Sequence, residues 1–468
     1  MKYFLLYLVI TLGLLSCTKP ENEKIVLYGE FKNSKEIDSV YLNVQGVFEE
    51  VLHSAKLSKE GVFIIKIDKE FPGFYDFRCG DFSCEMFLSP GDSLYVNADL
   101  SDFNKSLTFK GIGSENNMAM LTIKRSTPTV SPEITYALDE KAFSAFNDSL
   151  LNARNNWLSE NSARNSNITS TFVEAQKNVH LYRWANNYLL YPSYHAYYGN
   201  QPDFKPSDKF SSYLKKINFN DTTLLGNSAY TRFITSYFQV KLRDEVRKDS
   251  SLLTSRKKVI EKIFELFRNE VKVQKTLAFL KYNILLNVVN LEGTKEIKPI
   301  VEQFITETEN KIYKNKLISE LNKWKNCEPG MELKNYRFSD IHGKEFLFSN
   351  YKGKIIYIDV WASWCGPCIA EIPYLKKLEE KFRNSKIVFV SISIDENKLE
   401  WEKSIKTEKL GGIQLWAEGW KHQFCSDFNI NSIPRFILID SQGLIYDNNA
   451  VRPSGKIDAK ISELLKAI

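Results

Sequence analysis

Residues 355–368 read IIYIDVWASWCGPC, a nearly continuous apolar run that leads to two cysteines three positions apart. The run has the length and composition of a buried β-strand, and the pattern of Ile369–Phe382 predicts a helix. A thiol where a strand ends and a helix begins faces unpaired backbone N–H groups and the positive end of the helix dipole, which favour the thiolate. We therefore predict a redox disulfide in which Cys365 is the exposed, attacking thiol and Cys368 resolves the mixed disulfide.

A Cys-x-x-Cys pair can also be half of a zinc site, which is the main alternative for this motif. A zinc site of that kind needs a second pair of ligands at suitable spacing. The chain has no second Cys-x-x-Cys pair, and none of the five histidines shares a short motif with another histidine. The sequence therefore predicts neither a metal nor any other cofactor.

The residues around this stretch predict an α/β domain over residues 327–468. Apolar runs of strand length alternate with helical patterns. Such an alternation indicates a sheet that is covered by helices on both faces. The predicted strands are 387–394, 435–439 and 444–446, and the predicted helices are 397–406 and 457–468.

The Trp-Cys-Gly-Pro-Cys motif at 364–368 resembles that of the thioredoxin superfamily, and its details resemble the TlpA/ResA branch of exported, membrane-tethered members. The resemblance covers about residues 328–468. It implies a thioredoxin-like fold and a thiol–disulfide oxidoreductase that acts on protein disulfides. It also implies re-reduction by a membrane electron donor of the DsbD/CcdA type.

Four further positions match the family. Asp359 matches the buried carboxylate that manages the proton of the resolving thiol, and Glu371 matches an acidic residue that tunes the same pair. Pro373 matches the proline that kinks the active-site helix, and Pro434 matches the cis-proline that docks substrates. Burying a lone carboxylate is costly and raises its pKa, which independently favours a proton-handling role for Asp359. For Glu371, a solvated helix residue is an equally good interpretation.

The resemblance also implies a substrate-binding surface around the cysteines. The family usually has a small hydroxyl residue after the cis-proline, whereas this chain has Arg435, which suggests a partner with an acidic surface. The predicted substrate-binding residues are Trp364, Gly366, Pro367, Ile433, Pro434 and Arg435.

The first residues predict export. Lys2 precedes an apolar run, Tyr3–Leu15, that is typical of the core of a signal peptide. The run closes with Leu-Leu-Ser-Cys at 14–17, which resembles the lipobox of bacterial lipoproteins. The resemblance implies a signal peptide over residues 1–16, lipidation of Cys17, a linker over 17–24 and a lipid-anchored, periplasm-facing location in the cell envelope. An ordinary signal peptide with an incidental Cys17 is the alternative.

Two further domains are expected, so the fold class is multi-domain. Short β-like runs between turn residues predict a small all-β antiparallel sandwich or barrel over residues 25–112. Apolar residues at spacings of three and four predict an all-α region over 113–326. In it, the tyrosines around Pro192 are interpreted as helix-packing core broken by a turn, with a ligand-binding surface as the alternative. They are Tyr188, Tyr191, Tyr194, Tyr197 and Tyr198.

The other cysteines can form disulfides in an exported protein. Cys79 and Cys84 are predicted to form a structural disulfide that closes a hairpin, and a second redox pair is the alternative. Cys327 and Cys425 flank the redox domain, and we consider a disulfide between them without a motif to support it.

Other functions fit less well. Peroxiredoxins have Pro-x-x-x-Thr-x-x-Cys at the reactive thiol. This chain has Ile358 in place of the proline and Ala362 in place of the threonine. A lipoprotein that binds a ligand through its helical region is a further alternative. The 63 basic and 57 acidic residues are spread along the chain without a dense basic block, so nucleic acid is not an expected partner.

Overall fold

The computed structural model describes residues 24–34, 37–44, 52–68, 72–126 and 130–468, so Cys17 and the lipobox lie outside the described residues. The chain forms two compact units. The first is Met1–Asp244 with Leu266–Thr276, and the second is Glu245–Glu265 with Leu277–Ile468. The boundaries predicted at residues 112 and 326 do not separate these units, because helical periodicity does not say which neighbour a helix packs against.

The first unit begins with two four-stranded sheets, with the orders β4-β1-β7-β8 and β3-β2-β5-β6. Apolar side chains of both sheets form one buried cluster, and the rings of Phe63 and Phe77 are 5.5 Å apart. The strands are β1 Lys24–Lys32, β2 Ser39–Val44, β3 Leu52–Lys56, β4 Val62–Asp68, β5 Gly73–Cys79, β6 Phe82–Leu88, β7 Ser93–Asp99 and β8 Thr108–Ile112.

The prediction of a purely antiparallel arrangement is wrong at one pair, because β1 and β7 run parallel. The alternation of buried and exposed residues along a strand is the same for both directions of pairing. The sequence pattern therefore identified strands here without fixing their orientation.

The predicted disulfide between Cys79 and Cys84 is also wrong, since both are buried free thiols. In the β5–β6 hairpin, Cys84 lies opposite Phe77 and Cys79 lies opposite Phe82, so the cysteines are diagonal neighbours. Diagonal neighbours in an antiparallel pair are about 7–8 Å apart, which exceeds the usual span of a disulfide.

The two longest helices after the sandwich begin at side-chain caps. Asp139 accepts from Ala142 N–H before α4, and Thr169 accepts from Phe172 N–H before α5. The helices are α1 Phe103–Ser106, α2 Ser114–Ser126, α3 Pro132–Ala137, α4 Glu140–Arg164, α5 Ser170–Tyr198, α6 Ser228–Lys248, α7 Arg256–Glu270, α8 Gln274–Glu292, α9 Lys298–Glu307 and α10 Lys311–Trp324. Among the described residues, none of the helices has the length and hydrophobicity that a membrane span requires.

The turn predicted at Pro192 is absent, because Pro192 lies inside α5, which continues to Tyr198. A proline in a helix removes one hydrogen bond and can kink the helix without ending it. Tyr188 and Tyr191 are buried core residues, whereas Tyr197 is exposed.

The second unit contains a seven-stranded sheet with the order β10-β9-β13-β12-β11-β14-β15. The strand β11 is buried along its whole length, lies parallel to β12 and antiparallel to β14, and so ends in the middle of the sheet. The strands are β9 Phe338–Asp340, β10 Glu345–Phe346, β11 Ile355–Trp361, β12 Ile387–Ser393, β13 Ile413–Trp416, β14 Arg435–Ile439 and β15 Ile445–Asp447. The helices are α11 Gly366–Lys381, α12 Lys398–Glu408, α13 Gln423–Asp427 and α14 Ile457–Leu465.

The end of α10 packs against this sheet domain within the same unit. The guanidinium of Arg435 lies over the buried ring of Trp324, 5.3 Å from its centroid. Asn448 Nδ2 donates to the carbonyl of Cys327 at 2.8 Å, and Lys298 pairs with Glu328 at 2.7 Å. The helices before residue 327 therefore contribute to the core of the domain that follows them.

The disulfide considered between Cys327 and Cys425 is absent, and both are buried free thiols. Cys327 follows α10 and contacts Asn448, whereas Cys425 lies in α13. Burial raises the pKa of Cys327 to about 12 and that of Cys425 to about 11. Both thiols therefore remain protonated and unreactive near neutral pH.

Candidate active site

The loop from β11 to α11 is anchored by a buried carboxylate. Ser363 donates to Asp395 through its backbone N–H at 3.0 Å and through its hydroxyl at 2.7 Å. Asp395 lies two residues after the end of the parallel strand β12 and also accepts from the Ser393 hydroxyl. Asp395 was not predicted from the sequence, although side chains at the carboxyl ends of neighbouring parallel strands are typical site residues.

The two cysteines of the loop form a disulfide, with Cα atoms 5.2 Å apart. Cys365 is the N-cap of α11, and its Sγ accepts a hydrogen bond from the Cys368 N–H at 3.2 Å. An N–H group that points at a sulfur at the N-terminus of a helix stabilises negative charge on that sulfur. The geometry therefore favours a thiolate at Cys365 when the disulfide is reduced.

Residue exposure does not distinguish the two cysteines, contrary to the expectation that Cys365 is the exposed one. Cys365 is 5% exposed and Cys368 is 4% exposed. Their neighbours Trp364, Gly366 and Pro367 are exposed, with Trp364 at 60%. What separates the cysteines is their position, because Cys365 precedes the helix and Cys368 lies in its first turn.

Asp359 lies in the buried strand β11, six residues before Cys365. Burial and then the nearby negative charge of Glu371 raise the pKa of Asp359 to about 7, although a hydrogen bond with Ser391 opposes the shift. A carboxyl group with a pKa near neutrality can both accept and release a proton at physiological pH.

Glu371 is held in place, so the interpretation as a solvated helix residue is wrong. It is buried on α11, and its carboxylate accepts from the backbone N–H of Ser454 at 2.9 Å and from its hydroxyl at 2.8 Å. Pro373 follows two residues later, inside the same helix. The carboxylates of Glu371 and Asp359 thus belong to one buried electrostatic group.

Pro434 follows a cis peptide bond with Ile433. The next residue, Arg435, begins β14 and pairs with Val360 near the end of β11. This register places the cis-proline beside the carboxyl end of β11, from which the loop leads to Cys365.

A groove of about 720 Å³ adjoins this loop. Its walls include Ser363, Trp364, Asp395 and Trp420, and the two tryptophan rings are 6.4 Å apart. Trp420 was not singled out from the sequence, because it lies on a connection without a recognisable motif.

Comparisons with known proteins agree on this part of the chain. The Redoxin family model matches residues 328–468. A thiol-disulfide oxidoreductase ResA of Bacillus cereus is 25% identical over 118 residues, which is 25% of this chain and 67% of that protein. The ResA protein of Geobacillus kaustophilus is 27% identical over 114 residues, 24% of this chain and 64% of that protein. Residues 328–468 are a TlpA/ResA-like domain of the thioredoxin superfamily.

Two solved structures from Bacteroides vulgatus, both named as putative thiol-disulfide oxidoreductases, are similar to the TlpA/ResA-like domain. A crystal structure is 34% identical, covers 30% of this chain and 99% of its own chain, and has a TM-score of 0.28. A solution structure is 48% identical, covers 28% and 88%, and has a TM-score of 0.27.

Arg435 of the TlpA/ResA-like domain does not face substrates, so the prediction that it meets an acidic partner is wrong. It is 3% exposed, lies over the Trp324 ring and reaches the carbonyl of Asn448 at 3.5 Å. Successive side chains of a strand point to opposite faces of the sheet. The residue after the cis-proline is therefore directed into the layer that α10 covers, where burial lowers the pKa of Arg435 to about 10.

Replacing Asp359 with asparagine is expected to stabilise the oxidised protein at pH 8. Because its pKa is raised from 3.8 to about 7, the folded state keeps a proton that the unfolded state releases above pH 4. Stability therefore falls as the pH rises from 4 to 7, and at pH 8 the carboxylate costs up to about 4 kcal/mol, which asparagine avoids. Urea unfolding of both proteins at pH 4 and pH 8 measures this difference. An equal difference at both pH values would contradict the assignment of the raised pKa.

Proposed function

We propose that this thiol–disulfide oxidoreductase reduces disulfides of other proteins in the bacterial cell envelope. The observation that carries the proposal is the disulfide at the start of α11, with the Cys368 N–H directed at Cys365 Sγ. The names of the ResA relatives support the same reaction class. A sulfur in this position is both a good nucleophile and a good leaving group.

The proposed reaction has two exchange steps. The Cys365 thiolate attacks a substrate disulfide, which forms a mixed disulfide and releases one substrate thiolate. Cys368 then loses its proton and attacks Cys365 Sγ, which releases the second substrate thiolate and leaves the Cys365–Cys368 disulfide. The substrate gains two electrons, and the enzyme loses them. A membrane electron donor of the DsbD/CcdA type returns them in the proposed cycle.

Asp359 is proposed to take the proton from Cys368, directly or through one water molecule. Its pKa of about 7 supports this role, because a base that is poised near the working pH balances availability against strength. Glu371 is proposed as a positioning residue, since its buried charge contributes to that pKa.

The surface for substrates is proposed to surround the exposed side of the loop. Trp364, Gly366 and Pro367 are exposed there, and Ile433 and Pro434 lie at the neighbouring end of β14. The groove beside Trp364 and Trp420 extends this surface. These features support docking of an extended substrate segment across the disulfide.

The location is proposed from the first residues and from the relatives. Lipidation of Cys17 would anchor the protein to a membrane of the envelope, with the remaining chain facing the periplasm. The reaction itself supports this location, because disulfides persist outside the cytosol.

The direction of electron flow is tested by the reduction potential of the Cys365–Cys368 pair. The dipeptide between the cysteines is Gly-Pro, as in thioredoxin, so we expect a value near about −270 mV rather than near the −120 mV of DsbA. Equilibration of the protein with glutathione or dithiothreitol buffers, followed by thiol alkylation, measures it. A value close to that of DsbA would make the protein an oxidant. Peroxide consumption with a thiol donor, measured in parallel, would indicate a peroxidase instead.

A further inference from the structure

A cavity of about 510 Å³ lies within the first unit, between the β-sandwich and the helices that follow it. The strands β6 and β8 and helix α1 form one wall, and helices α2 to α5 form the other. Small-molecule sites commonly enclose about 300–1,000 Å³ and combine apolar walls with a few polar groups. The cavity has the size and the walls of such a site.

One part of the cavity is apolar. Phe103, Leu107 and Phe109 line it from the sandwich side, and all three are buried. Phe146 and Leu150 line it from α4. These side chains offer an apolar ligand a surface against which burial of its own apolar groups is favourable.

The lining of the cavity also carries positive charge. Arg154 of α4 and Arg183 of α5 both line the cavity, as does Lys124 of α2. Among its described lining residues, Glu85 is the one carboxylate, and it already pairs with Arg183 at 3.5 Å. Arg154 is half-buried and has neither an ion pair nor a hydrogen bond in the part of the chain that the structure describes.

The two guanidinium groups act on each other and on a neighbouring histidine. Burial and then the positive charge of Arg183 lower the pKa of Arg154. Burial and both arginines lower the pKa of His180 to about 3, so the imidazole is neutral at physiological pH. Glu85 offsets the charge of Arg183, but the charge of Arg154 at a partly desolvated cavity is unfavourable unless an anion joins it.

A buried amide completes the polar part. Gln176 is 3% exposed and lines the cavity, and its Nε2 contacts His180 Nε2 at 3.0 Å. The Gln176 Oε1 atom is buried and accepts no hydrogen bond from the described residues. Because an unpaired buried acceptor is costly, this atom indicates a missing donor group.

We propose that this cavity binds an organic acid whose carboxylate lies next to an amide N–H and whose body is apolar. The carboxylate would pair with Arg154 and Arg183, the N–H would donate to Gln176 Oε1, and the apolar body would pack against Phe103, Leu107 and Phe109. Acylated amino acids and apolar peptide C-termini share this chemistry. The site is independent of the redox reaction proposed for the other unit.

Isothermal titration of the full chain with N-acetylphenylalanine and with its uncharged amide tests the proposal. We expect saturable binding of one molecule of the acid per chain and at least tenfold weaker binding of the amide, because the amide lacks the charge that Arg154 recognises. Absence of saturable binding, or equal binding of acid and amide, would overturn the proposal.

Variants of one helix separate recognition from general charge effects. Arg154→Gln is expected to weaken binding of the acid at least tenfold, whereas Arg164→Gln should leave it unchanged. Arg164 also lies on α4 but is 77% exposed and pairs with Glu160 on the surface. Arg183→Gln provides a second test should Arg154→Gln alter the circular dichroism spectrum. Equal effects of the Arg154 or Arg183 variant and the Arg164 variant would refute the assigned site.

Discussion

The Cys365→Ser variant is expected to lose disulfide reductase activity by at least about 10⁴-fold, because a serine hydroxyl is not ionised near pH 7 and cannot replace a thiolate. The helix N-terminus, which stabilises charge on sulfur, gives no comparable help to a hydroxyl of much higher pKa. Reduction of insulin by the dithiothreitol-reduced protein, followed by precipitation of the insulin B chain, measures the loss.

Cys425→Ala is the matched control for this variant. Cys425 lies in the same domain, but burial raises its pKa to about 11 and it forms no disulfide. The control should therefore reduce insulin at the normal rate. Activity that survived in Cys365→Ser, or disappeared in the control, would place the nucleophile elsewhere.

The Cys368→Ser variant should separate the two exchange steps. It keeps the attacking thiol but cannot resolve the mixed disulfide, so covalent adducts with substrate proteins are expected to accumulate on non-reducing gels. Adding Cys365→Ser to this variant should remove the adducts. Mass spectrometry of the adducts would identify the natural substrates.

The Asp359→Asn variant is expected to slow resolution of the mixed disulfide about 100-fold at pH 8, which is within the usual contribution of a general base. In the unaltered protein the carboxylate form increases as the pH rises through about 7, so the resolution rate should rise over the same range. The variant lacks the Asp359 carboxyl group and should therefore lack this inflection. Stopped-flow measurement of the second exchange step between about pH 5.5 and 8.5 provides the profile.

Glu371→Gln refines the test of Asp359. Glu371 is the nearby charge that most raises the pKa of Asp359, and Glu379 contributes less. Removing the charge of Glu371 should therefore move the inflection to lower pH, and Glu379→Gln should move it less. An inflection that stayed in place in Glu371→Gln would mean that another group titrates in the profile.

Local chemistry explains why the centre of the site could be predicted from the sequence. The strand β11, the helix start at the cysteines and the pair itself all lie within one short stretch, residues 355–368. An acidic residue inside an apolar strand also indicates a raised pKa, as is the case for Asp359. Each of these features depends on neighbours in the chain, which a single sequence displays.

The features that were missed or wrong depend on residues far apart in the chain. Arg435 was assigned to the substrate surface because its strand could be recognised, but nothing local indicated that Trp324 covers that face. Asp395 and Trp420 reach the loop from other connections of the sheet. The disulfide between Cys79 and Cys84 is the local exception, because it was excluded by the register of one hairpin. The other features depend on spatial packing, which the periodicity of a sequence does not record.

The packing of Trp324 on Arg435 ties the oxidoreductase domain to the helix that precedes it, which matters for any attempt to express the domain separately. A fragment that began at residue 328, where the family match begins, would lack α10 and its indole. The guanidinium would lose its aromatic cover, and Asn448 would lose the Cys327 carbonyl. A fragment of this enzyme that keeps both contacts must therefore include α10 and so begins upstream of the family match.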